Sequence, residues 1–124
     1  MFSLKKIVGS ISGYLILSFF TIGANHHDAN NIALGAKTYH ERCEVCHGNQ
    51  GDGKTFAANV LFPPPKNFTA EKIKTELVSE RMIRSVAKGR PNTAMMPWEN
   101  VLSEHEIHAV VVYIRKELMK LKED

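Results

Sequence analysis

Two cysteines and a histidine form a group whose residue types and spacing predict a specific chemistry. Cys43 and Cys46 are separated by two residues, and His47 follows directly. The pattern C-x-x-C-H is typical of covalent haem attachment. Residues three apart share one face of a helical turn, so both thiols can add to the two vinyl groups at one edge of a porphyrin. The histidine then lies under the ring, where its imidazole can ligate the iron.

Two consecutive methionines, Met95 and Met96, are candidates for the opposite side of the iron. A neutral thioether in that position favours the ferrous state and raises the reduction potential. Met96 lies 49 residues after His47, which leaves room for the chain to wrap around the ring. Pro97 then fixes the backbone directly after it. The sequence therefore predicts His47 and Met96 as the axial ligands, with Met95 as the less favoured alternative.

Two other methionines and the other histidines have a simpler interpretation. Met82 and Met119 recur at helical spacing and are predicted to fill the core, as flexible thioether side chains often do. The remaining histidines are predicted to lie at the surface, namely His26, His27, His40, His105 and His108.

Length, charge and cysteine content exclude several classes of protein. The chain has 124 residues, enough for one small domain, which is marginally stable unless a cofactor enlarges its core. Its net charge is +3 and falls to +1 without residues 1–24, so a nucleic-acid-binding protein is not indicated. Both cysteines belong to the haem motif, which leaves none for a structural disulfide or a four-cysteine zinc site.

Residues 1–24 have the organisation of an export signal. Lys5 and Lys6 precede an apolar stretch over residues 7–22, and Gly23 and Ala24 supply small residues before a polar run. We predict a signal peptide over residues 1–24, with an uncleaved membrane anchor as the alternative. The remainder, residues 25–124, is predicted to be one exported domain. Haem is attached to such motifs on the exported side, so the two predictions agree.

Helical periodicity dominates the exported part, and an all-α fold is expected. Apolar spacing predicts a helix over residues 31–44, with residues 28–31 able to cap its start. Gly35 interrupts this helix at a cost of about 1 kcal/mol relative to alanine, which indicates either a tolerated weak position or a close helix crossing.

The second half of the chain predicts three further helices. Residues 69–78 and 79–88 are the first two, and Gly89 ends the second. Ser103 and Glu106 form a capping box that begins a helix running to about Leu121. Its apolar stripe consists of Ile107, Val110, Val111, Ile114, Leu118 and Leu121.

The segment between the haem motif and these helices is predicted to be mostly loop. Residues 48–53 contain three glycines and must turn tightly, residues 55–61 are irregular or briefly helical, and residues 63–65 are three prolines in extended chain. The apolar residues of this segment are predicted to be core that also borders the cofactor, namely Phe56, Leu61, Phe62 and Phe68.

Taken together, these motifs resemble those of class I cytochrome c. The resemblance covers nearly all of residues 31–119, and the stretch over residues 61–68 looks like the small bacterial cytochromes that serve as respiratory haem domains. The shared features are Gly35 and Tyr39, then Cys43-Glu44-Val45-Cys46-His47-Gly48, Gly51, Gly53, Gly89, Met96-Pro97-Trp98 and the terminal helix with Val110-Val111-Val112-Tyr113-Ile114-Arg115.

The resemblance implies a cytochrome c fold of three to five short helices around one covalently bound haem c. The first and last helices are expected to cross, with Gly35 and Tyr39 against Val110, Tyr113 and Ile114. It also implies that a backbone carbonyl fixes the His47 ring through its second nitrogen. The offset of about 12 residues seen in mitochondrial members falls at Asn59, while the prolines come later, so the owner of this carbonyl stays open.

The expected function is one-electron transport in the bacterial periplasm, as part of a respiratory chain. With both axial sites filled no substrate binds, so the protein is not expected to be an enzyme. The alternative is a haem c subunit held permanently by a respiratory dehydrogenase or oxidase complex. Expected partners are a redox donor and acceptor, such as a dehydrogenase, a cytochrome complex or a terminal oxidase, with membrane contact only through an uncleaved N-terminus.

Two other classes of function remain as hypotheses. A haem enzyme or gas sensor would need an open iron site, and therefore a Met96 that does not ligate. A thiol redox pair formed by Cys43 and Cys46 would need a βαβ context, which this helical pattern lacks.

One charged segment allows two interpretations. Between residues 66 and 90 the net charge is +4, which is typical of a solvated face and is also suitable for docking a partner. The charged residues are Lys66, Glu71, Lys72, Lys74, Glu76, Glu80, Arg81, Arg84, Lys88 and Arg90.

Overall fold

The structure, a computed structural model, describes residues 23–122, with side chains described from residue 28 onward. Residues 1–22 of the predicted targeting segment lie outside this range. Within it the fold is helical and contains no strand, as expected. The α-helices are α1 (Gly23–Arg42), α2 (Glu44–His47), α3 (Glu71–Glu76), α4 (Ser79–Lys88) and α5 (Glu104–Tyr113). A 3₁₀ turn (Ala57–Val60) follows α2, and a π-helical turn (Ile114–Leu118) extends α5.

Helices α1 and α5 cross at Gly35, which confirms the predicted contact. A Cβ atom added to Gly35 would lie 2.1 Å from the carbonyl oxygen of Ala109 and 2.7 Å from Cβ of Tyr113. One turn later on α1, the fully buried ring of Tyr39 lies 5.5 Å from the ring of Tyr113. The glycine is therefore required because the two backbones are too close to admit any side chain.

The first helix begins earlier than predicted, and the predicted cap at residues 28–31 is wrong. That segment lies inside α1, which starts at Gly23 and ends at Arg42, two residues before the predicted end. Residues 24–34 contain no glycine or proline, and each asparagine, histidine or aspartate costs at most about 0.7 kcal/mol in a helix. Docking also supports this end of the helix, since the ring Nε2 of His105 lies 2.9 Å from Oδ1 of Asn31.

The last helix is capped as predicted but does not remain α-helical to Leu121. The Ser103 side chain accepts from the backbone N–H of Glu106, and the Glu106 carboxylate accepts from the backbone N–H of Ser103. After Tyr113 the hydrogen bonding changes, and the Met119 N–H donates to the Ile114 carbonyl five residues earlier at 2.8 Å. Met119 is fully buried in this turn, as predicted for the core, and Leu118 of the predicted stripe is partly buried against the core.

The remaining helices agree with the prediction. Helix α4 has the predicted bounds and buries Met82 and Val86, while α3 is a shorter version of the helix predicted over residues 69–78. The core lies between α1, α4 and α5, and it includes Phe68 from the loop that follows the three prolines. Its buried side chains are Tyr39, Phe68, Leu77, Met82, Val86, Leu102, Ile107, Val110, Val111, Ile114 and Met119.

None of the helices in residues 23–122 has the length and apolarity needed to cross a membrane.

Candidate haem-binding site

The two cysteines lie on one tight turn, as their spacing requires. Cys43 caps the start of α2, and its carbonyl accepts from the N–H groups of Cys46 at 3.2 Å and His47 at 2.9 Å. Both cysteines are free thiols and partly buried. Burial raises the pKa of the Cys43 thiol to about 11, so this thiol is protonated at neutral pH. The motif therefore presents both cysteine side chains from a single turn.

The imidazole of His47 is held by a carbonyl that sequence reasoning left unassigned. Nδ1 of His47 lies 3.2 Å from the carbonyl oxygen of Lys66, which is 19 residues further along the chain. The N–H at Nδ1 donates to this oxygen, which leaves the lone pair on Nε2 for a metal. Burial lowers the pKa of His47, and the hydrogen bond to Lys66 opposes this effect. A neutral imidazole is the form that binds iron.

A glycine-rich loop joins the motif to the segment that carries Lys66. The N–H of Gly53 donates to the His47 carbonyl at 2.8 Å, and the N–H of Phe68 donates to the Gly51 carbonyl at 2.7 Å. On the other side, the buried Tyr39 hydroxyl donates to the Gly48 carbonyl at 2.6 Å. These bonds connect α1, the motif and Phe68 into one supporting structure for the His47 ring.

The loop that carries the two methionines is anchored on the end of α4. The Trp98 N–H lies 3.1 Å from the Val86 carbonyl and 3.2 Å from the Ala87 carbonyl. Gly89 has φ +69°, and a Cβ atom there would lie 2.7 Å from the Met95 carbonyl oxygen and 2.8 Å from the Met96 carbonyl carbon. Gly89 therefore ends α4 as predicted and also allows the methionine backbone to lie directly against it.

The two methionines differ in burial. Met95 is partly buried and packs against the core, whereas the Met96 side chain is 55% exposed. Just over half of the surface of Met96 is therefore accessible to an added group. Met82 and Met119 are 5% and 0% exposed, which confirms that both belong to the core.

Two phenylalanines after the motif are almost fully exposed. Phe68 is buried as expected, but Phe56 and Phe62 are 91% and 95% exposed, so they do not pack into the protein core as predicted, and their contact with the cofactor stays a prediction. Their segment is attached to the motif through Thr55, whose hydroxyl donates to the Cys46 carbonyl at 3.3 Å. An exposed apolar surface next to a thiol pair and an oriented imidazole fits a flat apolar macrocycle.

The other histidines offer no competing metal site within the part of the chain that the structure describes. His40, His105 and His108 are exposed, as predicted, and His40 contacts the Glu44 carboxylate. The side chains of His26 and His27 lie outside the described ones. Among the described residues there is also no cluster of three histidine, cysteine or carboxylate groups.

Comparison with known families decides the class of the protein. Residues 30–114 match the family described as cytochrome c oxidase, cbb3-type, subunit III. The chain belongs to this family. It is therefore a c-type cytochrome of the class I type, and it carries covalently bound haem c with its iron. The two thiols and the oriented imidazole described above are suitable to bind that group. The adjacent apolar surface is suitable to contact its ring.

Solved structures give the same fold for the cytochrome. The c-type cytochrome KustC0563 is 27% identical, with 65% of this chain and 93% of that chain covered at a TM-score of 0.57. A chain of the Kuenenia stuttgartiensis reducing HAO-like protein complex Kustc0457/Kustc0458 is 26% identical, with 73% of this chain and 44% of that chain covered at a TM-score of 0.57. No curated protein is significantly similar in sequence to the cytochrome.

Proposed function

We propose that this cytochrome is a periplasmic one-electron carrier whose haem is bound by Cys43 and Cys46 and whose iron is ligated by His47 and Met96. Haem iron supplies a reversible one-electron couple when it is bound in this way. The observation that carries the proposal is the fixed orientation of the His47 imidazole, with Nδ1 bonded to Lys66 and Nε2 free. Two protein ligands would leave no open coordination position, so no enzymatic activity is proposed.

A second candidate is a haem subunit bound permanently within a larger redox complex. One observation favours it: a structural relative is part of a protein complex. Size-exclusion chromatography of a native extract separates the candidates. The carrier elutes alone at the size of a small domain, whereas the subunit elutes with its partners. The intact mass of the same material shows whether residues 1–24 are removed.

The basic segment over residues 66–90 is partly paired with carboxylates. Lys74 pairs with Glu71 at 2.7 Å, and Lys88 pairs with Glu99 at 2.5 Å. The segment's net charge of +4 already counts Glu71, so only the pair with Glu99 lowers it, to +3. Surface pairs of this kind contribute at most about 1 kcal/mol each to stability. We interpret this segment as a solvated face.

Single leucine variants of the two methionines test the ligand assignment. We expect Met96→Leu to abolish the near-infrared charge-transfer band of methionine-ligated ferric haem. We also expect it to lower the reduction potential by on the order of 0.1 V, because a soft neutral ligand is lost. Met95→Leu is the matched control and keeps both properties, since leucine and methionine have similar volumes. Absorption spectra and redox titration of the two purified variants measure this.

The reverse result has a definite meaning. If the band is lost in Met95→Leu and retained in Met96→Leu, the more buried methionine, Met95, is the iron ligand. Retention in both variants contradicts methionine ligation altogether.

A further inference from the structure

The His47 ring is contacted on its flat face by a second aromatic ring, that of Phe68. The two centroids are 4.7 Å apart and the ring planes differ by 13°, so the rings are stacked nearly parallel. This contact is separate from the hydrogen bond to Lys66, which acts at the ring edge. The histidine is thus held in two different ways by residues only two positions apart.

The two contacts restrict different motions of the imidazole. The bond from Nδ1 to the Lys66 carbonyl is 3.2 Å long, at the upper end of the normal range for N–H···O bonds. A single bond in the ring plane fixes the direction of Nδ1 but allows the ring to rotate about the line through its two nitrogens. A parallel ring at van der Waals distance opposes that rotation, because the imidazole would have to displace it.

Phe68 is itself held firmly. Its side chain is 6% exposed and belongs to the buried core, and its N–H donates to the Gly51 carbonyl at 2.7 Å. A Cβ atom at Gly51 would lie 3.2 Å from Cδ2 of Phe68 and 3.0 Å from Cδ1 of Leu118, so the ring is enclosed on that side as well. A ring packed in this way cannot follow the imidazole if the imidazole turns.

We propose that Phe68 is a positioning residue that fixes the rotational orientation of the His47 ring about its bond to the iron. The inference rests on His47 as an axial ligand, as proposed above. The plane of an axial imidazole determines which iron d orbital it overlaps, and therefore the magnetic anisotropy of the ferric haem. Phe68 acts through His47 and does not itself contact the metal.

The test compares the ferric electron paramagnetic resonance spectra and the haem methyl proton resonances of three variants of the haem-loaded protein. Phe68→Leu removes the parallel ring, Phe68→Tyr retains it, and Val78→Ala truncates an apolar side chain that is 54% exposed and lies outside the site. We expect Phe68→Leu to shift or broaden the largest g value and to change the spread of the methyl resonances. Phe68→Tyr and Val78→Ala should reproduce the wild-type spectra.

Several outcomes overturn the proposal. Wild-type spectra in a fully haem-loaded Phe68→Leu variant do so, and so does an equal change in Val78→Ala. Phe68→Met, which has a similar volume to leucine but an unbranched, flexible side chain without a ring, serves as a second variant. If both Phe68→Leu and Phe68→Met fail to load haem, the role of Phe68 is structural and the proposal is wrong. A wild-type protein without the spectrum of histidine–methionine ligation instead contradicts the proposed function.

Discussion

Replacing Gly35 with alanine is expected to lower the free energy of unfolding by about 3 kcal/mol. The added Cβ atom would lie 2.1 Å from the Ala109 carbonyl oxygen, which belongs to the backbone of α5 and cannot rotate away. Helices α1 and α5 must therefore separate, and the packing of Tyr39 and Tyr113 in the crossing is lost with them. Small domains have a total stability of roughly 5–15 kcal/mol, so this is a large fraction of the whole.

Urea unfolding of the haem-loaded protein, followed by circular dichroism, measures the effect. Ala33→Leu is the matched control, because Ala33 lies on the same helix and is exposed. The control should change the unfolding free energy by no more than about 0.5 kcal/mol. A Gly35→Ala variant as stable as the control would show that the two helices do not cross at this point.

Replacing both Cys43 and Cys46 with alanine is expected to abolish covalent haem attachment completely. The chain contains no other cysteine, so no thioether can form at another position. Haem that still binds through His47 would be extracted by acidified organic solvent, and the intact mass would be that of the polypeptide alone. Each single variant should retain one thioether and show a shifted pyridine haemochrome band.

The control for this experiment lies between the two cysteines. Val45 is 67% exposed, and Val45→Ala changes the same turn without removing a thiol. It should retain haem that resists extraction. Acid-resistant haem in the double variant, or an equal loss in Val45→Ala, would contradict attachment through this motif.

Local signals were sufficient to predict much of this molecule. The haem motif, the capping box at Ser103 and Glu106, and the stop at Gly89 each depend on a few adjacent residues, and the structure has the two helix signals as predicted. Gly35 could be interpreted in part. A glycine inside a helix costs conformational free energy relative to alanine, which indicated either a weak position or a close helix crossing, and the family resemblance named the crossing helix. Each of these features is specified by residues that lie within one or two helical turns of each other.

The support of His47 could not be predicted in the same way. The carbonyl belongs to Lys66, directly after the three prolines. The offset seen in mitochondrial members falls at Asn59 instead, so the sequence left the owner of the carbonyl open. The stacking of Phe68 depends on the path of the same segment, and its apolar character alone predicted only burial. Backbone carbonyls have no sequence signature, so such a contact is found only from the folded chain.

Two further differences come from tertiary packing that overrides local preference. The π-helical turn over residues 114–118 is one of them, because no local signal in this stretch predicts a change from α-helical hydrogen bonding. The exposure of Phe56 and Phe62 likewise cannot be read from their apolarity, because composition does not state whether a side chain faces the core or another surface.

Titration of the reduced cytochrome with carbon monoxide tests the central claim most directly. An electron carrier with His47 and Met96 on the two sides of the iron offers no free coordination position. We therefore expect the ferrous spectrum to remain almost unchanged at carbon monoxide concentrations that saturate an open haem. Fast and complete binding would show an open iron site, and it would contradict both the Met96 assignment and the function as a carrier.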